Sequence, residues 1–121
     1  MIDFLETKPV VWMGSSRKDF AGFPTPVKAE MGYALYVAQT GGRHHRTKML
    51  KGLGAIVVEV IAHHQGDTFR TVYTVQFADA LFVLHAFQKK SKSGISTPKP
   101  DVELIRQRLK EAELQARKMK L

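Results

Sequence analysis

Two kinds of apolar repeat succeed one another along the chain, and the change from one to the other sets the order of the expected elements. Lys8–Met13 is a short apolar run closed by Gly14, which predicts a strand. Ser15-Ser16 followed by Asp19 resembles a helix N-cap with an acid in the first turn, and Pro24 and Pro26 end that helix near Phe23. From Pro26 to Thr40, Val27, Met31, Ala34, Leu35 and Ala38 recur at spacings of three and four, so a second helix with one buried stripe is expected. Gly41-Gly42 supplies its C-cap. Residues 41–54, GGRHHRTKMLKGLG, hold no acid and read as a basic loop.

Beyond that loop the repeat becomes that of strands. Ile56–His64, Thr68–Phe77 and Leu81–Gln88 are β-branched, alternating or continuously apolar runs. Gln65-Gly66-Asp67 and Ala78-Asp79-Ala80 between them are short enough for hairpin turns, so an antiparallel meander is expected. Lys89–Ser96 is a polar connector, after which Thr97 as cap and Pro98 at the first helical position open a last helix. Val102, Ile105, Leu109, Ala112, Ala116 and Met119 form its apolar stripe, with Arg106, Arg108, Lys110, Arg117, Lys118 and Lys120 opposite. The order predicts a single α+β domain over residues 1–121. It comprises an antiparallel sheet (the N-terminal strand plus a three-strand meander), two N-terminal helices on one face and a basic C-terminal helix. On this reading one sheet face stays open to a ligand.

Composition narrows the classes. A chain of 121 residues, 44% hydrophobic and 25% charged, suits one modest core and excludes wholesale disorder. With no cysteine there is no disulfide framework, thiol nucleophile or cysteine zinc site, which suits a reducing cytosol. The N-terminal MIDFLETKPVVW does not read as a signal peptide, and no run approaches the roughly 18 apolar residues that span a bilayer. A soluble, cytoplasmic protein without a membrane partner is expected. Net charge is +8, unevenly placed: residues 1–88 hold 9 basic and 7 acidic side chains, residues 89–121 hold 10 and 4. A polyanion is the natural partner of such a field, although a solvated basic helix would give the same count. The adjacent pairs His44-His45 and His63-His64 lack a spacing that aims two rings at one ion, so no metal site is expected.

The central segment carries Leu50-Lys51-Gly52, then Glu59, Phe69-Arg70-x-x-Tyr73 and Phe87-Gln88-Lys89-Lys90-Ser91, flanked by Gly32-Tyr33-Ala34-Leu35 and Thr97-Pro98. In this order and spacing it resembles the RelE/ParE superfamily toxins, nearest to the HigB-like, phage-derived branch, from about Lys8 to Leu114. The resemblance implies a RelE-like fold and a ribosome-dependent endoribonuclease that cuts mRNA in the decoding site. It implies no cofactor, and an antitoxin protein partner, often of helix-turn-helix type.

Cleavage by the 2′-hydroxyl needs a base, an acid for the leaving oxygen, and cations for the phosphate. By motif, the cationic work matches Arg70 and Lys89. Phe69, Thr71, Tyr73 and Val75 suit the core, which puts Arg70 on the open face of the sheet; it clamps phosphate there or is an ordinary surface or ion-paired arginine, with Glu59 as its partner. The lysine pair that some members carry in the first meander strand is replaced by Val58-Glu59-Val60-Ile61. The base is therefore open: Glu59 set by Arg70 and Lys51, or His85, or neither, with Glu59 only orienting Arg70 and His85 only a core residue. Tyr73 reads as core. Lys51, Lys90, Lys92 and the loop residues Arg43, Arg46 and Lys48 are candidate RNA contacts, His44 and His45 with them. The alternatives are a ParE-like gyrase inhibitor without a nuclease site, a nonenzymatic RNA-binding module using the C-terminal helix, and a phage-encoded member that has lost toxicity.

Overall fold

The β-branched run Val57–His64 and its two apolar successors pair as the meander predicts, and the remaining elements are arranged around them. The computed structural model describes residues 7–77, 79–89 and 96–120. Its elements are β1 (Val10–Trp12), α1 (Ser16–Ala21), α2 (Thr25–Gln39), β2 (Thr47–Leu50), β3 (Val57–His64), β4 (Asp67–Thr74), β5 (Leu81–Lys89) and α3 (Lys99–Met119). Among the described residues the strands form one sheet in the order β1-β5-β4-β3-β2. The β3–β4 hairpin turns on Gln65 and Gly66, with φ of 49° and 85°. Two left-handed residues are what a tight turn between twisted strands requires.

Three expectations about the architecture are corrected, and three about single residues at α3 with them. First, the sheet is mixed, because β1 runs parallel to β5 through Val10↔Leu81 and Trp12↔Val83. The chain leaves β1 through two helices and three strands before β5, and that length permits a parallel return. Second, the basic loop contains a strand: Thr47–Leu50 pairs antiparallel with β3, its alternation short and half-buried at the sheet edge.

Third, neither face of the sheet is open along its length. α2 buries its five predicted stripe residues against Val58, Val60, Ala62, Phe69, Tyr73, Leu81 and Val83. α3 covers the opposite face, where Ile105, Leu109, Ala112 and Ala116 pack on Met13, Val57, Val72, Phe82 and Leu84. A helix with such a stripe needs an apolar surface, and the second face of this sheet supplies it. Within α3, Arg108 is not on the solvent side as expected. It is buried, donating from Nη1 to the Leu84 carbonyl at 3.0 Å and from Nη2 to Ser15 Oγ at 3.1 Å. Its guanidinium lies against Gly14 (φ +53°), where a Cβ would come within 2.6 Å of Nε. Met119 is exposed and Thr97 does not cap; Pro98 precedes the first turn instead. No helix among the described residues is long and apolar enough to cross a membrane.

Candidate functional site

Alternation decides which side chains of the meander meet. On the α3 face β3 presents Val57, Glu59 and Ile61, and β4 presents Arg70 and Val72, since Ile61 pairs with Arg70 and Glu59 with Val72. β5 would send Phe82, Leu84 and Ala86 to this face if it were regular. Instead the register slips: Tyr73 pairs with Val83 but Val72 with His85, leaving Leu84 as a bulged residue. A bulge re-aims everything after it. His85, Phe87 and Lys89 therefore join Arg70 and Glu59, while Ala86 turns to the α2 side. The edge strand adds Lys48, directly opposite Glu59.

These side chains form one polar cluster where α3 begins. Glu59 is fully buried, and Arg70, expected on an open face, is only 4% exposed because α3 covers this side of the sheet. Arg70 Nη1 donates to Glu59 Oε1 at 2.6 Å, and Lys48 Nζ lies 3.7 Å from the same oxygen. Thr97 Oγ1 donates to Glu59 Oε2 at 2.9 Å. Both carboxylate oxygens are thus engaged. Lys89 is buried beside them and donates to the Ser96 carbonyl at 2.8 Å. Loss of hydration lowers the pKa of its ammonium below the ordinary 10.5, and the Arg70 and Lys48 charges lower it further against the opposing pull of Glu59.

His85 lies flat on Phe87, with centroids 4.6 Å apart, and its Nε2 is 2.7 Å from Asp101 Oδ1 on α3. A carboxylate only accepts, so Nε2 carries a proton, and in the neutral ring the lone pair is then on Nδ1. Nδ1 is buried and has no hydrogen-bond partner among the described residues. The Asp101 contact fixes the ring's orientation and directs any lone pair to Nδ1, which is shielded from solvent. Thr97 and Asp101 tie the start of α3 across the cluster, and neither was foreseen as a site residue. Their signal was position: both open a helix whose stripe had to reach the sheet.

The remaining candidates scatter. Lys51 does not approach Glu59; it lines a cleft of about 260 Å3 between β2 and the start of α3, with Lys48, Leu53, Thr97 and Val102. Lys48 takes the place expected of Lys51 because β2 is a strand and aims it inward. Arg43 is exposed, and Arg46 pairs with Glu30 at 3.6 Å on the α2 side. Lys90 and Lys92 lie outside the described residues. Tyr73 is core, and burial raises its hydroxyl pKa above the usual 10.0 against an opposing pull from Arg43. The rings of His44 and His45 stack 4.3 Å apart, which strand alternation would forbid, because they precede β2 rather than lying in it. No group of three or more His, Asp or Glu side chains is placed to hold a metal among the described residues.

No curated protein matches the chain. The family model described as "Phage derived protein Gp49-like (DUF891)" matches residues 18–110, from α1 into α3, which takes in Glu59, Arg70, His85, Lys89 and Asp101. Since that span is most of the chain and contains the whole cluster, the chain belongs to the Gp49-like family of phage-derived proteins.

Proposed function

We propose that this protein is the toxin of a type II toxin–antitoxin system, a ribosome-dependent mRNA endoribonuclease neutralised by an antitoxin protein. The observation that supports this reading is the gathering of Arg70, Lys89 and Lys48 around Glu59 beside an oriented His85. Family membership adds to it, the Gp49-like proteins being toxin-like in the RelE/HigB manner.

In this mechanism the 2′-hydroxyl oxygen attacks the adjacent phosphorus and gives its proton to a base. The bond to the 5′ oxygen breaks and that oxygen receives a proton, leaving a 2′,3′-cyclic phosphate and a 5′-hydroxyl. Arg70 faces the charge that grows on the phosphate oxygens, as a fork of donors does best. Lys89 gives its proton to the leaving oxygen, which its lowered pKa favours. Glu59, with both oxygens taken, acts as the residue that orients Arg70 rather than as the base. His85, set by Asp101, is the base once the start of α3 shifts to admit RNA. No step calls on a cofactor. The antitoxin is expected to be of helix-turn-helix type, the substrate is mRNA in the decoding site, and the place of action is the cytoplasm.

The Glu59–Arg70 pair has a second reading as a brace inside the fold, which would suit a ParE-like inhibitor of gyrase or a nonenzymatic RNA-binding protein. Mapping mRNA ends in cells induced for the wild type, Arg70→Ala and Lys89→Gln separates the readings. Cuts inside translated codons that vanish in both variants are expected. Growth arrest with DNA damage and no such cuts would refute the nuclease.

A further inference from the structure

The solvent side of α2 lies on the opposite face of the sheet from the Arg70 cluster, and nothing described so far uses it. A helix surface in a protein of net charge +8 is expected to be charged. Beyond the first turn the fully exposed residues are Ala29, Gly32, Tyr33 and Tyr36, with the two tyrosines 60% and 53% exposed, while the helix's two charges, Lys28 and Glu30, are half-buried. Gly32 has no positive φ, and a Cβ there would meet nothing within 4 Å, so neither backbone conformation nor packing demands the glycine. It leaves bare, flat surface beside Tyr33.

The loop before β2 continues this surface. Tyr33 meets the His44 ring edge-on at 5.8 Å, and the exposed His45 stacks on His44. The loop is held in shape, not merely draped: the Arg46 amide donates to His44 Nδ1 at 3.1 Å, and Thr47 Oγ1 donates to the His44 carbonyl at 2.7 Å. Arg43 and Arg46 flank the histidines in sequence and are exposed, with Arg46 Nε 3.6 Å from the Glu30 carboxylate.

Ordered, exposed aromatic faces interleaved with guanidinium groups are what unpaired nucleobases require. The rings stack on bases of any sequence while the cations take the phosphates. We infer that Tyr33, Tyr36 and the His44-His45 stack, with Arg43 and Arg46, form a stacking platform for single-stranded RNA on the face opposite the Arg70 cluster. Tyrosine and arginine also anchor protein interfaces; the net charge of +8 favours a polyanion on this patch, and a protein occupant is an outcome of the test. This site goes beyond the nuclease reading, because it binds RNA whether or not Arg70 and Lys89 cut it.

The test reads binding without cleavage. The probe is a labelled 2′-O-methyl oligouridine of about 12 nucleotides, within single-strand site sizes, and it lacks the attacking hydroxyl. Tyr33→Leu and His45→Ala are each expected to weaken binding about tenfold, as loss of one stacked base would. Tyr33→Phe, which keeps the ring, is expected to bind like the wild type. All these positions are on the surface, and circular dichroism with a thermal melt verifies that each variant is folded. A 4-thiouridine probe is expected to crosslink to peptides containing Tyr33 or His45. Equal affinity of the Leu and Phe variants would overturn the platform. So would crosslinks confined to the other face of the sheet, or a wild-type dimer that Tyr33→Leu dissociates, which would assign the patch to a second copy of the chain. Failure here together with intact codon cleavage would leave the nuclease standing, and the converse result would leave the platform.

Discussion

Arg70 and Glu59 are paired opposite charges in a place that water barely reaches, and removing either takes the closest opposite charge from the other. Truncating one partner of such a pair costs about 3–5 kcal/mol, so Arg70→Ala should lower the chemical-denaturation midpoint as well as activity. The double variant Arg70→Met/Glu59→Leu should recover most of that stability and none of the activity. Recovery of both would show that the pair is only a brace. Lys89 offers a second test. Its folded pKa lies below 10.5, so between the folded value and 10.5 the unfolded chain holds more protons, and stability should rise with pH through that window. Direct NMR titration of the Lys89 side chain should show the lowered value. In Arg70→Ala it should move up only partway, since lost hydration is the larger cause.

At the scale of elements, α3 carries two duties that the sequence shows as one. Its stripe seals the second face of the sheet, while Thr97 and Asp101 at its start hold the polar cluster. Ile105→Ala removes a fully buried side chain one turn beyond Asp101 and should cost about 2–5 kcal/mol. Hydrogen exchange should then rise first in the amides of α3 and of β5 near the Leu84 bulge. α2 gives the opposite sign: Gly32→Ala, at an exposed helical position with room for a Cβ, should stabilise the fold by about 0.5–1 kcal/mol. A thermal melt distinguishes the two.

At the scale of the molecule, charge decides encounter more than chemistry. The basic excess sits in residues 89–121, and the exposed Lys110 and Lys118 of α3 belong to it. Reversing them, Lys110→Glu/Lys118→Glu, should weaken RNA binding alike for all sequences and flatten its salt dependence, by about 0.7 in the log–log slope per lost phosphate contact on single strands. Cleavage positions should not move. A changed cleavage pattern would mean that α3 reads the substrate rather than attracting it.

Local periodicity alone determined a great deal: both long helices, the α2 stripe to the residue, the three strands of the meander, and the parity that separates Arg70 from Phe69 and Tyr73. These follow from repeats of 3.6 and 2, which neighbouring residues carry among themselves. What required the folded chain were the contacts between distant segments. β1 lies parallel to β5, β2 forms only because β3 offers it an edge, and Lys48 rather than Lys51 reaches Glu59 as a result. The bulge at Leu84 is the sharpest case. Alternation places His85, Phe87 and Lys89 with Leu81 and Val83, yet one unpaired residue turns them to the opposite face, where Arg70 and Asp101 are. No local pattern records that slip, because β5's partners are distant in sequence: β1 and β4 pair with its two edges, and the Arg108 guanidinium of α3 takes the Leu84 carbonyl at the bulge.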